Sequence, residues 1–224
     1  MVVLATKCYV DGDARERALD GLRSLVDNAI GDLAVEYEVG VRHDDFPSVT
    51  VDGEDGEDGV AARNVLREEW GAITPEFVRG EIYTGTLESW DESRFVLDAG
   101  EDVRVPAEEI GLGPGSPEQV RTRYGLVQHL PLRFVYGEPS RLADDERDRL
   151  YDWTRGTGRV NANSATRGEV RATVNRAGHA GDIVTVERFG LLEQSVICRE
   201  GTDPPGLLAS IGTHLPAELL CVVP

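Results

Sequence analysis

The hydrophobic period changes twice along this chain, and no other feature limits its architecture more. Residues 2–10 alternate and are rich in β-branched side chains, which predicts a strand. Ala14, Ala18, Leu22, Leu25, Val26 and Ala29 then recur at helical spacing. Asp11 and Asp13 supply the N-terminal cap and Gly31 closes the helix. Residues 34–42 alternate again, and 47–52 form a short β-branched strand. The acidic, glycine-rich run 53–59 reads as a turn, and Val60, Ala61, Val65 and Leu66 begin a second helix ending near Trp70. The order β-α-β-β-α is most of a ferredoxin-like split βαβ unit, lacking a last strand.

From Ile73 the texture shifts. Pro75 and Gly80 break helix, and short strands follow at 80–89, 94–97, 103–105 and 132–136, with one helix at 117–124 before the last. Short strands with one interposed helix predict a small OB-type β-barrel. After a polar, proline-containing junction at 139–144 the helical period returns. A charged helix covers 144–154, and the Gly/Asn/Ser-rich stretch 156–164 reads as a loop. Thr166 and Glu169 form a capping box for a helix to about 177. Residues 182–188 and 192–199 read as a hairpin around Phe189 and Gly190. A helix over 204–214 follows Asp203, with Pro204 and Pro205 in its first turn, and 219–223 is the final strand. The expected class is therefore α+β: a ferredoxin-like βαββα module at 1–72, an OB-type β-barrel at 73–138 and an αββαβ module at 139–224. The first and third modules either stand apart or pack as one.

Charge narrows the setting. Asp and Glu number 41 against 23 basic residues, a net charge of −18, and Lys7 is the single lysine. Carboxylates spread along the whole chain keep a surface hydrated in concentrated salt, where the Debye length is only about 3 Å at 1 M. The expectation is a protein adapted to a salt-rich cytoplasm. No apolar run approaches the roughly 20 residues of a membrane span, and the first residues read as a strand entering a helix rather than a leader. Cys8, Cys198 and Cys221 lie in apolar runs without CxxC spacing, so they read as buried thiols in a reducing compartment. His43, His129, His179 and His214 are scattered, and neither a metal site nor a cofactor is expected.

Three segments of the middle region carry a resemblance: Gly80-Glu81-Ile82-Tyr83-Thr84-Gly85-Thr86-Leu87, Phe95-Val96-Leu97-Asp98-Ala99-Gly100, and Val105-Pro106-Ala107-Glu108-Glu109-Ile110. Over residues 78–138 the chain resembles the OB-type RNA-binding motif repeated in the bacterial ribosomal protein S-one. The usual His near the Val105-Pro106 segment is missing. Across its whole length the chain resembles the archaeal (haloarchaeal) family known as domain of unknown function 2110. The segments are Ala61-Ala62-Arg63-Asn64-Val65-Leu66, Gly111-Leu112-Gly113, Asp182-Ile183-Val184-Thr185-Val186-Glu187-Arg188-Phe189-Gly190-Leu191 and Gly201-Thr202-Asp203-Pro204-Pro205-Gly206-Leu207. This resemblance implies an archaeal source and a cytoplasmic location.

The barrel resemblance makes Tyr83, Trp90 and Phe95, with Arg94 and Arg104, candidate RNA contacts. Aromatic stacking supplies about 1–3 kcal/mol per base without a positive field. Each of these rings has an ordinary alternative in the barrel core. A second candidate cluster, Trp153, Arg155, Arg159, Asn161, Asn163, Arg167 and Arg171, is the most basic window of the chain. Arginine stacks on bases and binds phosphate bidentately, and asparagine reads base edges. Ser195 and Ser210 have no His or Asp at motif spacing. His179, after Gly178, is expected at a helix end where the dipole favours it. The leading expectation is a non-catalytic RNA-binding protein of translation or RNA metabolism. The alternatives are a protein–protein adaptor docking on a ribosome or transcription complex, and an enzyme with an unrecognised site.

Overall fold

The computed structural model describes residues 1–53 and 56–224. The acidic run expected as a turn lies partly outside them, at residues 54 and 55. The described residues form an α+β structure with three antiparallel sheets and seven helices.

The first sheet has the order β1-β3-β2, from β1 (Val2–Val3), β2 (Tyr37–Val41) and β3 (Pro47–Val51). Helix α1 (Gly12–Ile30) buries Ala18, Leu22, Val26 and Ile30, a stripe repeating every fourth residue. Helix α2 (Glu57–Trp70) adds Ala62, Leu66 and Trp70 to the same core. The expected first strand is much shorter than its alternation suggests. It ends at Val3, and only a bridge from Leu4 to Ala72 continues it. Residues 5–10 leave the sheet because their polar side chains bond to other parts of the molecule. Asp11 stands at the N-cap of α1, but its side chain makes no capping hydrogen bond.

The central sheet is a curled half-barrel of order β6-β5-β4-β7-β8. Its strands are β4 (Ile82–Trp90), β5 (Arg94–Asp98), β6 (Asp102–Pro106), β7 (Pro131–Val135) and β8 (Arg141–Leu142). Leu87, Phe95, Leu97, Val105, Leu132 and Phe134 alternate inward and are fully buried. Between β6 and β7 lie α3 (Ala107–Ile110) and α4 (Pro117–Tyr124), the latter closed by a capping box of Ser116 and Gln119. Helix α5 (Asp144–Trp153) sends Leu150 and Trp153 into the half-barrel core.

The third sheet has the order β10-β11-β9-β12, from β9 (Arg159–Ala162), β10 (Ile183–Arg188), β11 (Gln194–Cys198) and β12 (Leu219–Val222). Helices α6 (Arg167–Arg176) and α7 (Pro204–Gly212) pack on it, and the predicted Thr166–Glu169 capping box is formed. Here the sequence reading is corrected: the expected loop at 156–164 contains β9, an inner strand of the sheet. Its Gly and Asn content suggests a turn, yet Val160 and Ala162 alternate into the third core. Asn161, between them, donates through Nδ2 to Gly125 O of the half-barrel at 2.8 Å. A tertiary partner thus takes up the amide nitrogen of the residue that makes the segment look like a loop, while its Oδ1 has no partner among the described residues.

The three cores interlock. Leu191 and Leu192, from the turn between β10 and β11, sit in the first core, and Val222 of β12 sits in the half-barrel core. The first and third modules therefore pack together. Each such side chain is worth about 1.5–3 kcal/mol when fully buried. Arg188 reinforces this contact, donating to Glu69 at 2.5 Å with its guanidinium 3.9 Å from the Trp70 ring.

Candidate nucleic-acid interface

Two places concentrate chemistry-bearing side chains. The first is a cleft of about 440 Å³ on the half-barrel, walled by Phe77, Arg104, Pro106, Tyr136 and the turn 137–140. Strand β7 ends at Val135, so Tyr136 stands at its exit. Its position is fixed by hydrogen bonds from Tyr136 N to Glu81 O (3.0 Å) and from Gly80 N to Tyr136 O (2.9 Å). Phe77 stacks on Tyr136 with centroids 4.9 Å apart and planes 21° from parallel. Tyr83 meets the edge of Phe77 at 4.9 Å, and its hydroxyl accepts from Val78 N at 2.8 Å. Arg104 is exposed and has no ion pair among the described residues. Glu101, Asp102 and Glu138 share the rim. The cleft offers flat apolar rings beside one available guanidinium, a combination suited to a planar ligand.

The remaining predicted contacts are placed differently. Phe95 lies wholly in the half-barrel core and presents no ring to a ligand. Trp90 is half-buried with the Arg121 guanidinium 3.8 Å from its ring, and Arg121 is in turn paired with Glu218. Arg94 is tied to Asp91 at 3.1 Å. Trp153 is 3 % exposed and stacks on Phe189 at 4.7 Å, with Arg159 at 4.6 Å and Arg149 at 5.2 Å from its ring. Asn161 and Asn163 are buried. Asn163 donates to Gln128 O at 3.3 Å and accepts from Glu218 N at 2.9 Å. Of the basic window only Arg155, Arg167 and Arg171 face water fully. The structure therefore does not gather the twelve predicted contacts on one face. Trp90, Asn161 and Asn163 line the seam between the half-barrel and the third sheet.

The second place is the junction of all three modules. Lys7 Nζ lies 2.8 Å from Glu88 Oε2 and 2.7 Å from Asp98 Oδ2, and is almost completely buried. Burial alone lowers the pKa of this ammonium, but the hydrogen bonds and charges of Asp98 and Glu88 outweigh it and hold the value above normal. His129 Nδ1 approaches Glu88 Oε2 at 3.3 Å. That contact, against a desolvation that acts the other way and with the help of Lys7, brings Glu88 down to about 2. The His129 ring lies 4.0 Å from that of Tyr9. The Tyr9 hydroxyl donates to Glu193 Oε1 at 2.7 Å and accepts from Ser164 N at 2.8 Å. Glu193 is fully buried, and burial pushes its carboxyl up to about 8. His129 and Ser164 adopt positive φ, 65° and 56°, the left-handed region that side chains rarely occupy. Thr6 Oγ1 completes the junction by accepting from Leu191 N at 2.7 Å.

Sequence reasoning missed most of these residues. Phe77, in the segment before β4, and Tyr136, at the exit of β7, stand 59 positions apart, so no local pattern joins them. Lys7 did carry a signal, as the one lysine of the chain, and so did Glu193, as the one acid in the apolar stretch 191–198. The expectation that His129 and His179 are isolated is also corrected. His179 Nδ1 lies 2.7 Å from Asp182 Oδ2, and its Nε2 lies 2.9 Å from Ser210 Oγ. The three cysteines are free, Cys221 only half-buried, and burial pushes the Cys198 thiol up to about 11, so it stays protonated and unreactive. Among the described residues no group of three or more His, Cys, Asp or Glu is placed to hold a metal ion, and no helix is long and apolar enough to cross a membrane.

Comparison with known proteins gives three matches to family models. The DUF2110 N-terminal domain matches residues 1–76, the DUF2110 central domain residues 77–154, and the DUF2110 C-terminal domain residues 157–223. No curated protein matches the chain.

Proposed function

We propose that this chain, which belongs to the DUF2110 family, binds single-stranded RNA through the half-barrel cleft, in translation or RNA metabolism of a salt-adapted archaeal cytoplasm. One observation carries this reading: the stacked rings of Phe77 and Tyr136 and the unpaired Arg104 line a single open cleft. The curled sheet around it supports an OB-type assignment, with five antiparallel strands and two helices between the third and fourth. The outer modules, each an antiparallel sheet with two helices on it, support the ferredoxin-like assignment.

The acidic rim gives this reading its sharpest consequence. An RNA-binding protein that neutralises phosphates weakens with salt, by about −0.7 in log–log slope per phosphate on single strands. Here Glu101, Asp102 and Glu138 outnumber Arg104 on the rim, so phosphate is repelled until salt screens it. Binding rests on base stacking, and affinity for a uridine-rich oligonucleotide holds or rises as KCl goes from low to about 1 M. Fluorescence anisotropy across that range is the test. A steep loss of affinity with salt, or no binding at any salt, removes the proposal.

A second reading, the protein–protein adaptor, has its own observation. Val78 and Ile82, beside the same cleft, are 60 % and 54 % exposed. An adaptor buries them against a partner, and Ile82→Ser then abolishes co-purification with a ribosome or transcription complex while sparing RNA affinity.

A further inference from the structure

The C-terminal module holds a hydrogen-bonded relay that the RNA reading does not use. His179 follows the C-terminal end of α6, and its ring bridges Asp182, in the turn before β10, and Ser210, on α7. A carboxylate only accepts, so the Asp182 contact places the ring proton on Nδ1. In the neutral ring Nε2 then carries a lone pair, and the Ser210 hydroxyl donates to it. The turn bearing Asp182 is held from two sides: its carbonyl accepts from Arg199 N and from Thr202 Oγ1, both at 2.8 Å. Carboxylate, imidazole and hydroxyl stand in the order and at the separations of a nucleophile, its base and the group that orients the base.

Two members of the relay, His179 and Asp182, line a cleft of about 370 Å³ with Thr202, Asp203 and Gly206, and the half-buried Ser210 stands behind His179, 2.9 Å from its Nε2. Asp182 and Asp203 make the cleft negative, which excludes carboxylate and phosphate substrates and admits neutral or cationic ones.

We infer that Ser210 is an activated nucleophile that accepts an acyl group from a small neutral or cationic ester. Its Oγ forms the new bond to the acyl carbon as the ester C–O bond breaks. The hydroxyl proton passes to His179 Nε2 and then to the oxygen of the departing alcohol. Water, deprotonated by the same ring, releases the acid and restores Ser210. Charge on the acyl oxygen has little help here. The Gly206 N–H is already engaged by Asp203 Oδ2 at 3.1 Å, and Pro204 and Pro205 have none. Acylation is therefore slow, and its signature is covalent capture rather than rapid turnover.

The test is mass spectrometry of the intact, folded chain after incubation with an uncharged fluorophosphonate, and separately with p-nitrophenyl acetate and its succinate analogue. The expected result is an adduct on the Ser210 peptide, acetate outpacing succinate. His179→Gln and Asp182→Asn slow the adduct at least about 10-fold, with circular dichroism unchanged. Labelling located on wild-type Ser210 does not depend on a serine variant folding. No adduct on folded wild-type protein, under conditions that label a serine hydrolase control, overturns the proposal. An adduct whose rate ignores His179→Gln does so equally, and equal rates for the two esters overturn the assigned substrate charge.

Discussion

In the half-barrel cleft, Arg104 faces water beside the stacked rings of Phe77 and Tyr136. In the seam with the third sheet, Arg121 lies over the Trp90 ring, 3.8 Å from its centroid, and is paired with Glu218, while Asn161 and Asn163 spend their amides on backbone carbonyls of the half-barrel. The residue types are the same, and they have opposite roles. A guanidinium on a ring stabilises a seam when a carboxylate of the same chain completes its bonding, and it is available to a ligand when none does. The difference teaches that the partner of an arginine, rather than its neighbours in sequence, decides whether it binds something else.

The comparison breaks most visibly at the three-module junction, which belongs with the seam. Lys7→Met leaves Glu88 and Asp98 facing each other without their cation. This costs about 3 kcal/mol of stability in urea, the low end for a broken buried pair because Glu88 keeps a third of its surface in water. Adding Glu88→Gln and Asp98→Asn restores most of it, and RNA affinity does not change in either variant. Equal stability of wild type and Lys7→Met sinks the structural role of the chain's one lysine.

Trp90→Ala sharpens the contrast next. It costs about 2–3 kcal/mol, below a fully buried tryptophan, by opening the seam under Arg121. Anisotropy on the folded variant returns wild-type RNA affinity. A loss of affinity returns Trp90 to the RNA contacts that its sequence position suggests.

Phe77→Ala acts the other way. Losing one stacking surface weakens RNA by about 1–3 kcal/mol, or roughly 5- to 150-fold. Arg104→Ala adds a smaller loss and shifts urea stability by less than about 0.5 kcal/mol, as for an exposed unpaired side chain. Unchanged affinity in both variants removes the cleft as the RNA site.

The pH profile gives a further reading of the junction. The Glu193 carboxyl rises from 4.5 to about 8 on folding, so the folded state holds its proton more tightly. That contribution is complete below about pH 4.5 and is lost as pH rises through about 8, an effect on the order of a few kcal/mol. Thermal melts of wild type decline across that window, and those of Glu193→Gln decline less. Parallel profiles for the two proteins show that Glu193 does not titrate there.

The least effect is expected at Arg94→Ala, whose Asp91 partner is exposed: stability and RNA affinity both stay within about 0.5 kcal/mol.

Local pattern alone determined the elements whose causes lie within a few residues. The fourfold stripe of α1, the capping box of Thr166 and Glu169, the Asp203 cap before Pro204 and the inward alternation of β5 were legible because helix periods and caps are short-range. So was the change of texture that marks the half-barrel. Tertiary structure decided the rest. Strand β9 looked like a loop until Gly125 supplied a partner for Asn161, and the first strand stopped at Val3 because Thr6, Lys7 and Tyr9 bond elsewhere. It also decided that Phe95 is core, that Phe77 meets Tyr136, and that His179 joins Asp182 to Ser210. Apolar period is printed along the chain. A polar side chain takes its meaning from whichever group the fold brings within 3 Å or so of it.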